Sequence, residues 1–274
     1  MNILHVENLT KHFKEIKAVD DLSFSVKKGE VYGFLGQNGA GKSTTIRMLL
    51  TLIKPASGSI HVFGKDLRDN RKTILKNVGA IIEKPDLYKY LTAFENLKLM
   101  AQLSGCRCSK QELMNQLERV GLSERADSKV KTFSQGMKQR LGIACALIHD
   151  PELIILDEPA NGLDPHGIAD MRNLILHLSK NEGKTILISS HLLSEIELIA
   201  DSMLIIDKGK KVAEGSVSVL LNPSDTLVEI ETTNDALTKT EIGNSKWAEY
   251  LQHGDRILLK MHRQSIPELN KHLV

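Results

Sequence analysis

Val31-Tyr32-Gly33-Phe34-Leu35 runs directly into Gly36-Gln37-Asn38-Gly39-Ala40-Gly41-Lys42-Ser43, with Thr44 next. The first five residues form an unbroken apolar run, the texture of a strand buried on both faces of a parallel sheet. The next eight fit G-x-x-x-x-G-K-[ST]. A helix is expected from about Ser43 to Ile53, stopped by Pro55 and Gly58. Strand, loop and helix make the opening unit of a parallel α/β sheet. The glycines let backbone N–H groups turn inward around a phosphate, and the helix N-terminus adds positive potential. Lys42 is placed to reach the terminal phosphate oxygens, and the Ser43 hydroxyl to meet Mg²⁺. The plain alternative, an ordinary glycine turn, does not account for the apolar strand before and the helical pattern after.

Leu153-Ile154-Ile155-Leu156-Asp157-Glu158 supplies a second half. Four apolar residues read as a buried strand that delivers two carboxylates at its end. Adjacent strand residues point to opposite sides, but a turn at the strand's end brings both toward one ligand. Asp157 suits Mg²⁺, directly or through water, and Glu158 suits a base that polarises an attacking water. An Asp-Glu pair alone is more often a solvated turn; the apolar strand and the upstream glycine loop reverse that reading. Together the two motifs imply nucleoside-triphosphate hydrolysis.

The rest of the 274 residues sets the limits. Hydrophobic residues make up 41% and charged residues 26%, ordinary for a globular protein with a sizeable core. A net charge of +2 gives no footprint for nucleic acid. No apolar stretch reaches the roughly 18 residues that cross a bilayer, so direct membrane insertion is not expected. Met1–Glu7 lacks the basic start and apolar core of a secretion signal. Cys106, Cys108 and Cys145 cannot all pair, and they read as plain thiols in a reducing cytoplasm.

Further strands are expected over Ile3–Glu7, Leu22–Val26, Asn77–Ile82 and Thr185–Ser189. Residues 87–149 read as a helical subdomain inserted into the α/β core. There Leu97, Met100, Ala101 and Ser104 share one helical face, and Leu113, Leu117 and Val120 another. The core is expected over residues 1–220, with a small α+β appendage over 221–274. In the appendage 226–232 and 256–261 read as strands, and Ser265-Ile266-Pro267-Glu268 as a capping box opening a last helix.

Phe133-Ser134-Gln135-Gly136-Met137-Lys138-Gln139-Arg140 begins a helix with Ser134 as its N-cap and Met137, Leu141, Cys145 and Ile148 as an apolar stripe. This stretch resembles the signature sequence of ABC ATPases. Asn161-Gly162-Leu163-Asp164 resembles the D-loop, Ser189-Ser190-His191 the switch histidine, and Phe13 stands where the family places an aromatic that stacks on adenine. The alternative for Phe13 is a core phenylalanine. The resemblance covers about residues 1–215, with six motifs in the family's order. It implies an α/β P-loop NTPase core that binds ATP with Mg²⁺. It also implies a head-to-tail homodimer in which Ser134, Gln135, Gly136 and Asp164 face the partner's nucleotide, with His191 at the γ-phosphate. Finally, it implies a separate integral membrane permease and a place on the cytoplasmic face of the membrane.

Two departures subdivide the family. Glutamine usually ends the strand over Asn77–Ile82; here Glu83 does, a candidate for a metal ligand, a catalytic group, or a link to the permease. The bland alternative is a surface carboxylate paired with Lys84. Ala160 replaces the usual threonine. With Ser-Ser-His-Leu-Leu-Ser-Glu-Ile-Glu, the pattern is similar to the ATPase subunits of lantibiotic-immunity and bacitracin-resistance exporters. An ABC importer shares the same catalytic residues. Ribosome-acting ABC proteins would carry two cassettes, and DNA-repair ABC proteins a long heptad insertion.

Overall fold

The computed structural model describes residues 1–222, 226–232, 234–252, 254 and 256–273. Contacts divide the chain into two compact units, 1–217 and 218–274. In the first, the elements run β1 (Asn2–Phe13), β2 (Ile16–Lys27), β3 (Val31–Leu35), α1 (Lys42–Leu49), β4 (Ser57–Val62), β5 (Lys65–Asp66), α2 (Leu67–Leu75) and β6 (Val78–Ile81). They continue with α3 (Ala93–Leu103), α4 (Lys110–Arg119), α5 (Gln135–Ala146), β7 (Leu153–Asp157), α6 (Pro165–Lys180), β8 (Thr185–Ser190), α7 (Leu193–Ile199), β9 (Ser202–Asp207) and β10 (Lys210–Ser216). The short α8 (Val217–Leu220) begins where this unit ends.

Six strands form the central sheet in the order β10-β9-β3-β8-β7-β6. All are parallel except β10, which pairs antiparallel with β9. Strands β3 and β7 are buried at every position, as their unbroken apolar sequence requires. A second, antiparallel sheet has the order β2-β1-β4-β5. Strands within β1 and β2 are as expected, but their separate sheet is not; the alternation that continues over Ser59-Ile60-His61-Val62 is its signal in the sequence. One core joins the two sheets: Val6, Leu9, Leu22 and Phe24 from the antiparallel sheet meet Tyr32, Phe34 and Leu204, with Ile46 and Met48 of α1 among them. Phe24 stacks on Tyr32 with ring centroids 5.8 Å apart. Buried so, Tyr32 still satisfies its hydroxyl by donating to Glu214 at 2.8 Å, and burial raises its pKa.

Helix α1 ends at Leu49, short of the expected Ile53. Thr51 adopts a left-handed conformation (φ 59°), and the N–H of Leu52 turns back to the carbonyl of Arg47. In the helical insertion, reciprocal capping boxes start α3 (Thr92 with Glu95) and α4 (Ser109 with Glu112). Leu97 and Ala101 are buried as expected, but Ser104 is an exposed C-cap. Leu113, Leu117 and Val120 are buried as one face. Helix α5 corrects the expected stripe: Leu141, Gly142, Ile143, Ala144 and Ala146 are all buried, while Met137, Cys145 and Ile148 are only half-buried. It touches α3, α4, α6 and β6, so it has little solvent face left. Arg119 of α4 donates from Nε to Glu182, just beyond α6, at 2.8 Å and ties the insertion to the core.

The second unit contains β11 (Thr226–Ile230), α9 (Asp235–Gly243), β12 (Ile257–Met261) and α10 (Ile266–Leu273), with β11 and β12 antiparallel. Its own core is Ile242, Trp247, Ile257, Leu259, Met261 and Leu269. Ser265 lies in a 3₁₀ turn before α10, not at the extended N-cap expected of a capping box.

Candidate functional site

The loop after β3 builds the site from backbone. Gly41 caps α1 with φ 108°, a conformation open to glycine, and a Cβ there would meet the carbonyl oxygen of Ala18 at 2.5 Å. No side chain caps this helix, so its first N–H groups are free to meet an anion. A cleft of about 160 Å³ opens there, lined by Ala18, Asn38, Gly39, Gly41, Lys42, Ser43, Thr44 and Glu158. Lys42 is 5% exposed. Its ammonium donates to the carbonyl oxygens of Gly36 at 2.5 Å and Gln37 at 3.3 Å, and lies 3.1 Å from Glu158 Oε1. A roomier cavity of about 610 Å³ beside α1, β4 and α2 includes none of these chemical groups.

Strand β7 delivers Asp157 and Glu158 to the same place. The turn is made at Glu158 itself, whose left-handed backbone (φ 49°) breaks the strand alternation and swings its carboxylate toward Lys42. Strand β8 lies between β3 and β7 and finishes the cluster. Ser189 donates to Asp157 Oδ1 at 2.6 Å and accepts the backbone N–H of Glu158 at 2.9 Å. His191 Nδ1 stands 2.7 Å from Glu158 Oε2. Glu158 is therefore held between a cation and an imidazole. Ser189, which fixes both acidic residues, has a part the sequence reading missed; a hydroxyl ending an otherwise apolar strand was the available signal.

The second oxygen of Asp157, Oδ2, is buried without a hydrogen-bond partner among the described residues. Such an acceptor is costly unless a ligand meets it. With the Ser43 hydroxyl at the head of α1, it is an all-oxygen donor set that fits Mg²⁺. Glu83 lies elsewhere. It follows β6 with φ 59°, is exposed, and pairs with Arg47 of α1, not with Lys84.

Phe13 is 47% exposed at the end of β1, with the Lys11 ammonium 5.2 Å from its ring centroid, so the core alternative fails. The β1–β2 hairpin that carries it returns through Ala18, which lines the cleft. Ser134 caps α5 by accepting from Met137 N at 3.2 Å, and Asp164 caps α6 by accepting from Gly167 N at 3.0 Å. Ser134 and Asp164 are exposed, Gln135 and Gly136 half-buried, and none of the four lines the cleft. Among the described residues no helix is long and apolar enough to cross a membrane.

A family model described as ABC transporter matches residues 19–161. The bacitracin transport ATP-binding protein BcrA of Bacillus licheniformis is 53% identical over 212 residues, covering 77% of this chain and 69% of that one. The protein of the same name from Enterococcus faecalis is 40% identical over 270 residues, covering 98% and 87%. The lantibiotic transport ATP-binding protein SrtF of Streptococcus pyogenes is 44% identical over 212 residues, covering 77% and 90%. A solved ATP-binding subunit of an ABC transporter superposes with a TM-score of 0.70 at 36% identity, covering 80% of this chain and 91% of its own.

Proposed function

The chain belongs to the ABC transporter family as an ATP-binding, ATP-hydrolysing subunit, and from that premise we propose that it powers export of a bacitracin-like or lantibiotic peptide through a separate membrane permease, giving resistance or immunity. The observation that carries the catalytic part is Glu158 held between Lys42 and His191 at 3.1 and 2.7 Å. Phosphate oxygens of ATP compete for the Lys42 ammonium and draw it off Glu158. The carboxylate is then free to accept a proton from an attacking water, with His191 orienting it and Ser189 holding its backbone. When bound at Ser43 and Asp157, Mg²⁺ would neutralise charge on the phosphates. Phe13 offers an exposed ring for adenine.

ABC ATP-binding subunits dimerise and work with membrane permeases. In this chain Ser134, Gln135, Gly136 and Asp164 lie outside the cleft that holds Lys42, which supports a head-to-tail homodimer in which each set serves the partner's ATP. The export direction and the peptide cargo draw on the likeness to BcrA and SrtF, and a membrane permease would place the chain on the cytoplasmic face. The test is a resistance assay. Cells carrying this chain together with its permease tolerate bacitracin or a lantibiotic, and cells carrying either alone do not. Resistance from the chain alone would overturn the proposal.

A further inference from the structure

Of the two carboxylates expected at the metal, Asp157 and Glu83, Glu83 is the one committed to a partner outside the cleft. That partner, Arg47, lies four residues after Ser43 on α1, so the two share a helix face, with Cβ atoms roughly 6 Å apart. Ser43 is the proposed metal ligand that opens this helix. The Glu83 carboxylate is thus held by a side chain of the same helix that Ser43 opens, and it does not line the cleft. Both partners are well exposed, Arg47 at 42% and Glu83 at 63% of their side chains. A pair so placed is worth at most about 1 kcal/mol. A hard divalent cation, which takes carboxylate oxygen readily, is strong enough to displace it. Glutamine at this position could not form the ion pair at all.

We propose that Arg47 is a positioning residue that competes with the divalent cation for the Glu83 carboxylate, holding it outside the cleft until cation and nucleotide arrive. The inference rests on reading Glu83 as a group that reaches the metal. Its consequence is that the guanidinium raises the cation concentration needed to recruit Glu83, and does so only through Glu83.

The test uses the purified full chain with a non-hydrolysable ATP analogue and Mn²⁺ as the probe, reading bound Mn²⁺ by electron paramagnetic resonance. Arg47→Ala should lower the half-saturating Mn²⁺ concentration about two- to fivefold, the size of an exposed ion pair. Arg47→Lys, which keeps the charge, should stay near the native value. Glu83→Gln should raise it, and adding Arg47→Ala to Glu83→Gln should change nothing further. An equal tightening in both backgrounds would mean that Arg47 acts as a bare charge, and would overturn the proposal. An unchanged or weakened Mn²⁺ affinity in Arg47→Ala, with Glu83→Gln still weakened, would overturn the competition but leave Glu83 at the metal. No change in either single variant would remove Glu83 from the metal as well.

Discussion

Lys42, Asp157 and Ser189 are almost wholly buried, and each is bonded to a neighbour in its own chain, whereas Ser134 and Asp164 cap their helices at the exposed surface. In the first group Lys42 heads α1 after the loop that follows β3, and Asp157 and Ser189 lie at the ends of the neighbouring strands β7 and β8. The second sits at the starts of α5 and α6. Charges that must keep fixed distances to phosphates gain from a low-dielectric, fully packed surround. Groups meant to meet a second molecule have to stay open to it. The contrast supports the proposed head-to-tail homodimer, in which the buried half of a nucleotide site in one copy meets the exposed half in another.

The strongest attempt to break that contrast is Glu158→Gln. Loss of a positioned base should cut turnover about 10²–10⁴-fold while ATP still binds, and an ATP-bound dimer should accumulate on size-exclusion chromatography. Full activity in this variant would move the base to His191. Next comes Lys42→Ala, which removes a buried cation from the phosphate cradle. Affinity for ATP should fall roughly ten- to a hundredfold, the worth of a charge-assisted hydrogen bond of about 1.5–3 kcal/mol, measured by titration with a fluorescent nucleotide.

Gly136→Val sharpens the other side of the comparison. A Cβ at Gly136 would meet only Leu163 within its own chain, at 3.9 Å, so the fold of one copy tolerates it. Native melting temperature and ATP affinity should persist, while turnover drops about tenfold or more, as when an interface loses about 1.4 kcal/mol. If turnover is unchanged, the exposed signature residues do not face a partner's nucleotide.

A last effect, on thiol reactivity and not on turnover, separates the two ends of α5. Burial pushes the Cys145 thiol up to about 12, so at pH 8 only about one molecule in 10⁴ carries the thiolate. Its alkylation should be slow in the native chain, rise with pH, and become fast on denaturation. A cysteine introduced by Ser134→Cys, at the exposed start of the same helix, should label promptly at pH 8. Equal rates would contradict the buried-body, open-cap description of α5.

Much of this was legible in the residue string because it is contiguous. Gly36–Ser43 after an apolar run dictates strand, loop and helix, since the spacing of those groups is set by the covalent chain. Leu153–Glu158 is a similar case, with only the direction of Glu158 left to decide. Phe13 and Glu83 were legible as positions but not as environments: one proved exposed and the other found Arg47, 36 residues away in the chain. The α5 stripe misled because helical periodicity assumes one dry face, and this helix is packed on several sides.

By itself, then, the sequence determined a parallel α/β core with a phosphate loop, a pair of strand-end carboxylates and a capped signature helix. Tertiary structure alone decided that β8 lies between β3 and β7, and hence that Ser189 and His191 stand beside Asp157 and Glu158. It also decided that an antiparallel sheet covers the core and that Glu83 rests on α1. The physical reason is that local spacing fixes which groups exist and roughly where each points. Strand order and helix packing, set by burial of the whole apolar surface at once, fix which of them meet.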